Sequence, residues 1–103
     1  MPRMYGHKFL LGLKDGDPNR LGIRLARACV DANLPASYVA KALEVSRMTM
    51  YSWFRGQGIR EEKRGSVEAF LKILEQDTDE GRLPTNSMHE ARRYIQDVIG
   101  VEI

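Results

Sequence analysis

The chain has 103 residues, of which 43% are hydrophobic and 29% are charged, and its formal net charge is +2. This composition is typical of a globular protein and excludes the disordered and fibrous classes. A chain of this length is expected to fold as a single domain, residues 1–103, with a modest core. Since no apolar run approaches the roughly 20 residues that a transmembrane helix needs, we expect no membrane partner.

The charges are distributed unevenly along the chain. Residues 1–64 contain 12 Lys and Arg against 6 Asp and Glu, whereas residues 65–103 contain 4 against 8. An asymmetry of this kind indicates that one part of the chain faces a polyanion while the other part stays away from it. The charge pattern therefore supports a nucleic-acid partner without establishing one.

Cys29 is the only cysteine, which leaves no partner for an intramolecular disulfide. It lies among the apolar positions of a predicted helix, where we expect a small buried hydrophobe. Neither histidine is near it in sequence, and no Cys/His cluster has the spacing of a structural zinc site. The sequence therefore predicts no metal, no cofactor and a reducing, cytoplasmic environment.

Residues 1–16 are expected to form a flexible N-terminal arm or an apolar clip against the core. The basic residues of this segment are Arg3, His7, Lys8 and Lys14, and its apolar patch contains Phe9, Leu10 and Leu11. A basic arm can reach a groove or the backbone of DNA. Only the short ends at residues 9–13 and 101–103 have any strand character, because no other segment alternates apolar and polar residues.

Capping residues predict the starts of the first three helices. Asp17 is expected to cap a helix that begins at Pro18, runs to about residue 33 and is mildly weakened by Gly22. Pro35 suits the first turn of a second helix. Ser46 is expected to cap the third, because its side-chain oxygen can accept a hydrogen bond from a backbone N–H two or three residues on.

The C-terminal part of the chain is expected to contribute two more helices. Gly56 should end the third helix, and residues 57–65 are predicted to form a charged, solvated connector. Ser66 is expected to cap a fourth helix over residues 67–76. A polar loop over residues 77–84 follows this helix. Ser87, with Glu90 three residues later, has the capping-box pattern of a fifth helix with an apolar stripe. That stripe consists of Met88, Ala91, Ile95 and Val98.

The second and third predicted helices form one unit over residues 34–56, LPASYVAKALEVSRMTMYSWFRG. Ala40 provides the small residue that a close crossing of two helices needs, and Leu43 and Val45 bracket the turn. Met50 and Trp53, three residues apart, would anchor the third helix from beneath. These positions favour a helix pair that crosses at roughly 90–120°.

This unit resembles the helix-turn-helix of the Cro and CI-type phage and bacterial repressors. The resemblance rests on Ala40, Val45, Ser46, Met50 and Trp53, followed by Arg55 and Gly56. It implies an all-α, lambda-repressor-like domain of about five helices, with a C-terminal helical extension over residues 66–103. The sequence departs from the family at Glu44. The family usually has glycine at this position, because the turn residue often takes a left-handed conformation. A residue with a Cβ costs about 1–2 kcal/mol there, and its carboxylate would repel phosphate.

The resemblance implies that helix 46–55 reads the major groove of double-stranded DNA. The expected base contacts are Ser46, Arg47, Met48, Tyr51 and Ser52. The expected backbone contacts, which position the protein without reading sequence, are Ser37, Lys41, Thr49 and Arg55. Arg47 suits a bidentate contact to guanine and Met48 a thymine methyl group. Tyr51 could equally be a partly buried aromatic packed on the fourth helix, and either arginine could be a solvated surface charge.

The function that these residues favour is a non-enzymatic transcriptional regulator, a repressor of a phage or a prokaryote, which acts as a homodimer in the cytoplasm. Its dimer interface is expected at Tyr94, Ile95, Val98 and Ile99, unless these residues complete the core. One alternative is a phage DNA-packaging protein of the terminase small-subunit kind, or a recombination accessory protein. Another is a helical protein-interaction domain that does not bind DNA. No nucleophile, metal-ligand or phosphate-loop pattern indicates an enzyme.

Overall fold

The computed structural model describes residues 5–14, 16–17 and 19–100. They form six helices: α1 (His7–Lys14), α2 (Leu21–Ala32), α3 (Ala36–Ala42), α4 (Arg47–Phe54), α5 (Glu61–Asp79) and α6 (Met88–Ile99). The all-α prediction is confirmed, and no strand occurs in the described ranges. The expected number of five helices is wrong, because α1 was not predicted. The radius of gyration, 12.7 Å, is that of a compact chain.

Helix α2 is at the centre of the packing, in contact with α1, α4 and α5, while α3 packs against α4 and α6. Cys29 of α2 is fully buried in the hydrophobic core, as predicted, and this burial raises the pKa of its thiol. Within the described ranges, no helix is both long enough and apolar enough to cross a bilayer.

Helix α1 occupies residues 7–14 of the segment that was predicted to be a flexible arm or an apolar clip. Phe9 and Leu10 pack against the core, whereas Leu11 is 50% exposed, so the apolar-clip alternative is only partly right. The Arg27 guanidinium of α2 donates hydrogen bonds of 3.2–3.4 Å to the carbonyl oxygens of the last two residues of α1 and of Gly16 just after it. An isolated helix of this length is marginal in water, so these tertiary contacts account for α1. Arg3 lies outside the described residues.

Helix α2 begins at Leu21 rather than at Pro18, which lies outside the described residues. Asp17 does not cap it. The Asp17 side chain instead accepts a hydrogen bond of 2.9 Å from the backbone N–H of Asn19 and thereby stabilises the turn before the helix. Arg20, in extended conformation, is the N-cap residue.

Helix α5 is longer than predicted at both ends. It runs continuously from Glu61 to Asp79, so the connector is restricted to residues 57–60 and the loop to residues 80–87. Ser66 lies within the helix and does not cap it. Two glutamates in its first turn interact favourably with the helix dipole, and the burial of Val67 one turn later stabilises the early start.

Helix α6 has the predicted cap. The Ser87 hydroxyl accepts a hydrogen bond of 3.1 Å from the backbone N–H of Glu90, and the Glu90 carboxylate accepts one from the backbone N–H of Asn86. Ile95 is fully buried against the rest of the chain, whereas Met88, predicted to belong to the same stripe, is 47% exposed. The stripe is therefore shorter than the sequence pattern indicates.

A polar cluster ties α6 to the end of α5. The Tyr94 hydroxyl donates a hydrogen bond to Asp77, and the Arg82 guanidinium lies 3.6 Å from the same carboxylate. Burial and this hydrogen bond raise the pKa of Tyr94. Because Ile95 is buried and Tyr94 is bonded within the chain, both of these predicted interface residues complete the fold. Val98 and Ile99 are half-buried.

Gly22 allows the backbones of α2 and α4 to approach each other. A Cβ atom added at Gly22 would lie 2.2 Å from the carbonyl oxygen of Trp53 and 2.8 Å from its carbonyl carbon. The neighbouring atoms belong to backbone and cannot rotate away. Gly22 is therefore a requirement of the packing, in addition to the mild weakness in α2 that helix propensity predicts.

We expect Gly22→Ala to lower the free energy of unfolding by about 1–3 kcal/mol, because the methyl group forces the two helices apart. Gly12→Ala is the matched control: Gly12 is also helical, and a Cβ atom there meets nothing within 4 Å. The control should stabilise α1 by up to about 1 kcal/mol. Urea titrations of the two variants should give changes of opposite sign. Equal changes would contradict the close approach.

The stability of the protein is expected to fall in alkaline solution. A tyrosine whose pKa is raised by folding contributes stability that is complete below its ordinary pKa, about 10, and is lost as the pH rises above that value. Tyr94 and Tyr5 are both shifted in this direction, each mainly by burial.

We expect Tyr94→Phe to lower the free energy of unfolding at neutral pH by about 1–3 kcal/mol, because Asp77 loses a hydrogen-bond donor. Above pH ~10 the free energy of unfolding should fall less steeply for the variant than for the parent protein. The difference in slope should be at most about 1.4 kcal/mol per pH unit, because solvent screens the half-buried ring. Urea titrations over a pH series measure both effects. Parallel pH profiles for the two proteins would contradict the linkage.

Candidate nucleic-acid interface

The turn between α3 and α4, residues 43–46, is closed by backbone hydrogen bonds. The N–H of Val45 donates to the carbonyl of Ala40 at 3.0 Å, and the N–H of Glu44 donates to that of Lys41 at 3.3 Å. This is the Schellman pattern, in which the residue after the helix takes a left-handed conformation. Glu44 occupies that position with φ +58°, so the predicted conformation of the turn is confirmed.

A lysine from α5 supports the same turn. The Nζ atom of Lys63 donates a hydrogen bond of 3.2 Å to the carbonyl oxygen of Leu43. This bond satisfies a carbonyl at the end of α3 that has no partner within the helix. Lys63 was predicted to lie in a solvated connector, and that prediction is wrong because α5 begins before it.

Ser46 caps α4 as predicted. Its hydroxyl oxygen accepts a hydrogen bond of 3.1 Å from the backbone N–H of Thr49, and its hydroxyl donates one of 3.0 Å to the Thr49 side-chain oxygen. The Ser46 hydroxyl is therefore engaged in holding the first turn of the helix. Since Thr49 is the acceptor in this pair, its own hydroxyl proton is left to donate elsewhere.

One side of α4 is anchored in the core. Met50 and Trp53 are buried, which confirms the predicted anchors, and Phe54 is buried beside them. Gly56 ends the helix with φ +93°, and its N–H donates a hydrogen bond of 2.8 Å to the Trp53 carbonyl. Local hydrogen bonds therefore close both ends of α4, and the core fixes its inner side.

The other side of α4 is open to solvent. Met48 is 80% exposed and Tyr51 39% exposed, and Arg47 and Arg55 are exposed as well. These positions recur with the period of a helix and form one face, hereafter the outer face of α4. Ser52 and Thr49, both half-buried, lie at its edges. In the neighbouring helix α3, Ser37 is half-buried and Lys41 exposed.

An aromatic cluster positions Tyr51. Its ring meets that of Phe9 at a centroid distance of 6.5 Å and that of Phe54 at 6.0 Å, both edge to face. Phe9 in turn stacks on Tyr5 at 5.4 Å. Edge-to-face pairs of this kind contribute about 0.5–1.5 kcal/mol beyond the burial of area. The ring of Tyr51 therefore packs on Phe54 of its own helix and on Phe9 of α1.

The role of α1 at this site could not be read from the sequence. Phe9 and Tyr5 precede Tyr51 by more than 40 residues, and only tertiary packing brings the rings together. The one available signal was the short apolar run around Phe9, which predicted contact with the core without indicating its partner.

The charges of the outer face are not neutralised by ion pairs within the described part of the chain. Among the described residues, ion pairs form between Arg60 and Glu62 and between Arg82 and its acidic neighbours, and neither Arg47 nor Arg55 takes part in one. The described ranges contain no group of residues that could hold a metal ion. The arrangement supplies cations, hydroxyls, a thioether and a phenol on one exposed helix.

We expect Glu44→Gly to raise the free energy of unfolding by about 1 kcal/mol. Glycine removes the strain of a left-handed residue, about 1–2 kcal/mol, but adds freedom to the unfolded chain. Glu44→Ala is the control, because it removes the same charge and retains the Cβ atom. Thermal unfolding should show a gain for the glycine variant alone. Equal gains for the two variants would assign the effect to charge and not to conformation.

Comparisons of the chain with known protein families, with characterised proteins and with solved structures gave no match. The candidate interface is therefore defined by the geometry of this chain alone. Its elements are an anchored eight-residue helix, a closed turn before it and an aromatic cluster beside it.

Proposed function

We propose that the protein is a non-enzymatic, sequence-specific regulator that binds double-stranded DNA and places α4 in the major groove. The observation that carries the proposal is the two-sided character of α4. One side is buried in the core by Met50, Trp53 and Phe54, and the opposite side exposes Arg47, Met48 and Tyr51. A helix held from beneath in this way can enter a groove about 12 Å wide without losing its support.

The chemistry of the outer face suits the edges of base pairs. The Arg47 guanidinium, free of ion pairs among the described residues, can bind guanine O6 and N7 in a bidentate manner. Met48, 80% exposed, can contact a thymine methyl group. The Tyr51 and Ser52 hydroxyls can reach bases or phosphates. The Ser46 hydroxyl is already engaged in the cap, which makes it the weakest of the proposed base contacts.

The flanks of α4 suit the DNA backbone. Lys41 and Arg55 supply exposed charges, and Ser37 and Thr49 supply hydroxyls that can donate to phosphate oxygens. Glu44 opposes these contacts because of its negative charge. The Lys63 ammonium donates a hydrogen bond to the carbonyl of Leu43, the residue before Glu44. Its positive charge therefore lies near Glu44 and offsets part of this repulsion.

A single module of this size buries roughly 600–1,000 Å² on DNA, so we propose that two copies bind adjacent half-sites as a homodimer. Val98 and Ile99, half-buried near the end of α6, are the residues of the predicted interface that stay available for it. This arrangement suits a repressor, which blocks transcription by occupying its operator.

A second candidate function is suggested by the apolar part of the outer face. Met48 and Tyr51 are large, exposed and adjacent, and aromatic residues and methionine are enriched at protein interfaces. On this alternative the same helix docks a protein partner in place of DNA. The alternative predicts no binding to any duplex, even at low salt.

We expect Arg47→Ala to weaken binding to the best DNA site by about 1–3 kcal/mol and to relax the preference at one base pair. Sites are first selected from a random duplex pool with the parent protein, and both proteins are then titrated with single-base variants of the selected site. Lys72→Ala, which removes an exposed charge from α5, is the control. A uniform loss across all sequences would make Arg47 a phosphate contact. Absence of duplex binding by the parent protein at low salt would refute the proposed function.

A further inference from the structure

A basic depression runs along the surface beside the C-terminal end of α4. Three adjoining surface hollows form it. The first is lined by Lys8 and Arg55, the second by Arg55 and Arg20, and the third by Arg20 and Arg64. Because neighbouring hollows share residues, they make up one continuous feature, hereafter the basic trough.

The four cations of the basic trough come from four separate parts of the chain. Lys8 lies on α1, Arg20 precedes α2, Arg55 follows α4 and Arg64 lies in the first turns of α5. Within the described residues, none of the four is in an ion pair. Of the described residues that line the three hollows, Asp17 alone is acidic.

The basic trough owes its shape to the approach of α2 and α4. The contact of Gly22 with the Trp53 carbonyl brings the residues just before α2 beside the residues just after α4. Arg20 and Arg55 therefore line the same hollow.

Two glycines leave the first and third hollows of the trough open. Gly12 lines its first hollow and Gly58 its third, and a Cβ atom added at either would meet nothing within 4 Å. Basic walls around an open floor suit an extended polyanion better than a compact ligand, since each cation can meet a separate negative group. The trough also continues from the outer face of α4, because Arg55 belongs to both.

We propose that the basic trough binds the phosphates of the DNA strand that flanks the major groove occupied by α4. This inference rests on the proposed function, because the trough would bind the backbone of the same duplex whose major groove α4 enters. Arg55 contacts the strand at the edge of the groove, and Lys8, Arg20 and Arg64 extend the contact along its backbone. Such contacts add affinity that is independent of sequence and sensitive to salt.

The first test compares two double variants with equal charge loss, Arg20→Gln/Arg64→Gln in the trough and Lys72→Gln/Arg93→Gln on exposed positions of α5 and α6. Dissociation constants for the selected duplex are measured over a range of salt concentrations. Each lost phosphate contact reduces the slope of log affinity against log salt by about 0.9. We therefore expect a reduction of about 1.8 for the trough variant and little change for the control, with base preference unchanged in both.

The second test uses a variant that removes no side chain. Gly12→Glu places a negative charge in the first hollow, on a helix where glutamate is favoured over glycine and the space is open. Ala69→Glu adds the same charge to an exposed position of α5. We expect Gly12→Glu to weaken DNA binding at least several-fold more than Ala69→Glu while its thermal stability is equal to or above that of the parent. A loss of affinity in a fully folded variant cannot be attributed to misfolding.

The outcomes separate this inference from the proposed function. If the trough variants match their controls in slope and affinity while Arg47→Ala still relaxes base preference, the trough does not bind DNA and the proposed function stands. If the parent protein binds no duplex at low salt, both are overturned. A reduced slope in the trough variants with intact base preference supports both.

Discussion

The close approach of α2 and α4 at Gly22 determines where the candidate DNA-reading helix lies. With the Trp53 carbonyl at a distance that excludes any side chain, α4 lies directly on α2 and its inner residues reach the core. The same contact fixes which side of α4 is exposed, and it brings Arg20 to Arg55. The absence of a Cβ atom at Gly22 thus contributes to both the position of the outer face of α4 and the shape of the basic trough.

The two helices of the candidate reading unit are joined at some conformational cost. Glu44 takes a left-handed conformation that glycine would adopt without strain, and three other interactions offset this cost. The backbone of Val45 closes the Schellman turn, Lys63 binds the Leu43 carbonyl, and Ser46 caps the next helix. Because these hydrogen bonds hold the turn, it tolerates a non-glycine residue at position 44 without displacing α4.

Helix α1 links the stability of the fold to the chemistry of the site. Its Phe9 orients the ring of Tyr51 on the outer face of α4, and its Lys8 supplies one end of the basic trough. Arg27 holds this helix by donating hydrogen bonds to the carbonyl oxygens at its C-terminal end. Helix α1 is thus part of the surface that the proposed function assigns to DNA.

Local sequence determined the features that depend on near neighbours: the all-α class, the caps at Ser46 and Ser87, and the burial of Met50 and Trp53. These follow from hydrogen bonds within a helical turn and from a period of 3.6 residues, both of which are readable along the chain. Only the tertiary structure decided the existence of α1, the early start of α5, the role of Gly22 and the alignment of four cations in the trough. Each depends on atoms that are distant in sequence, where packing overrides local propensity.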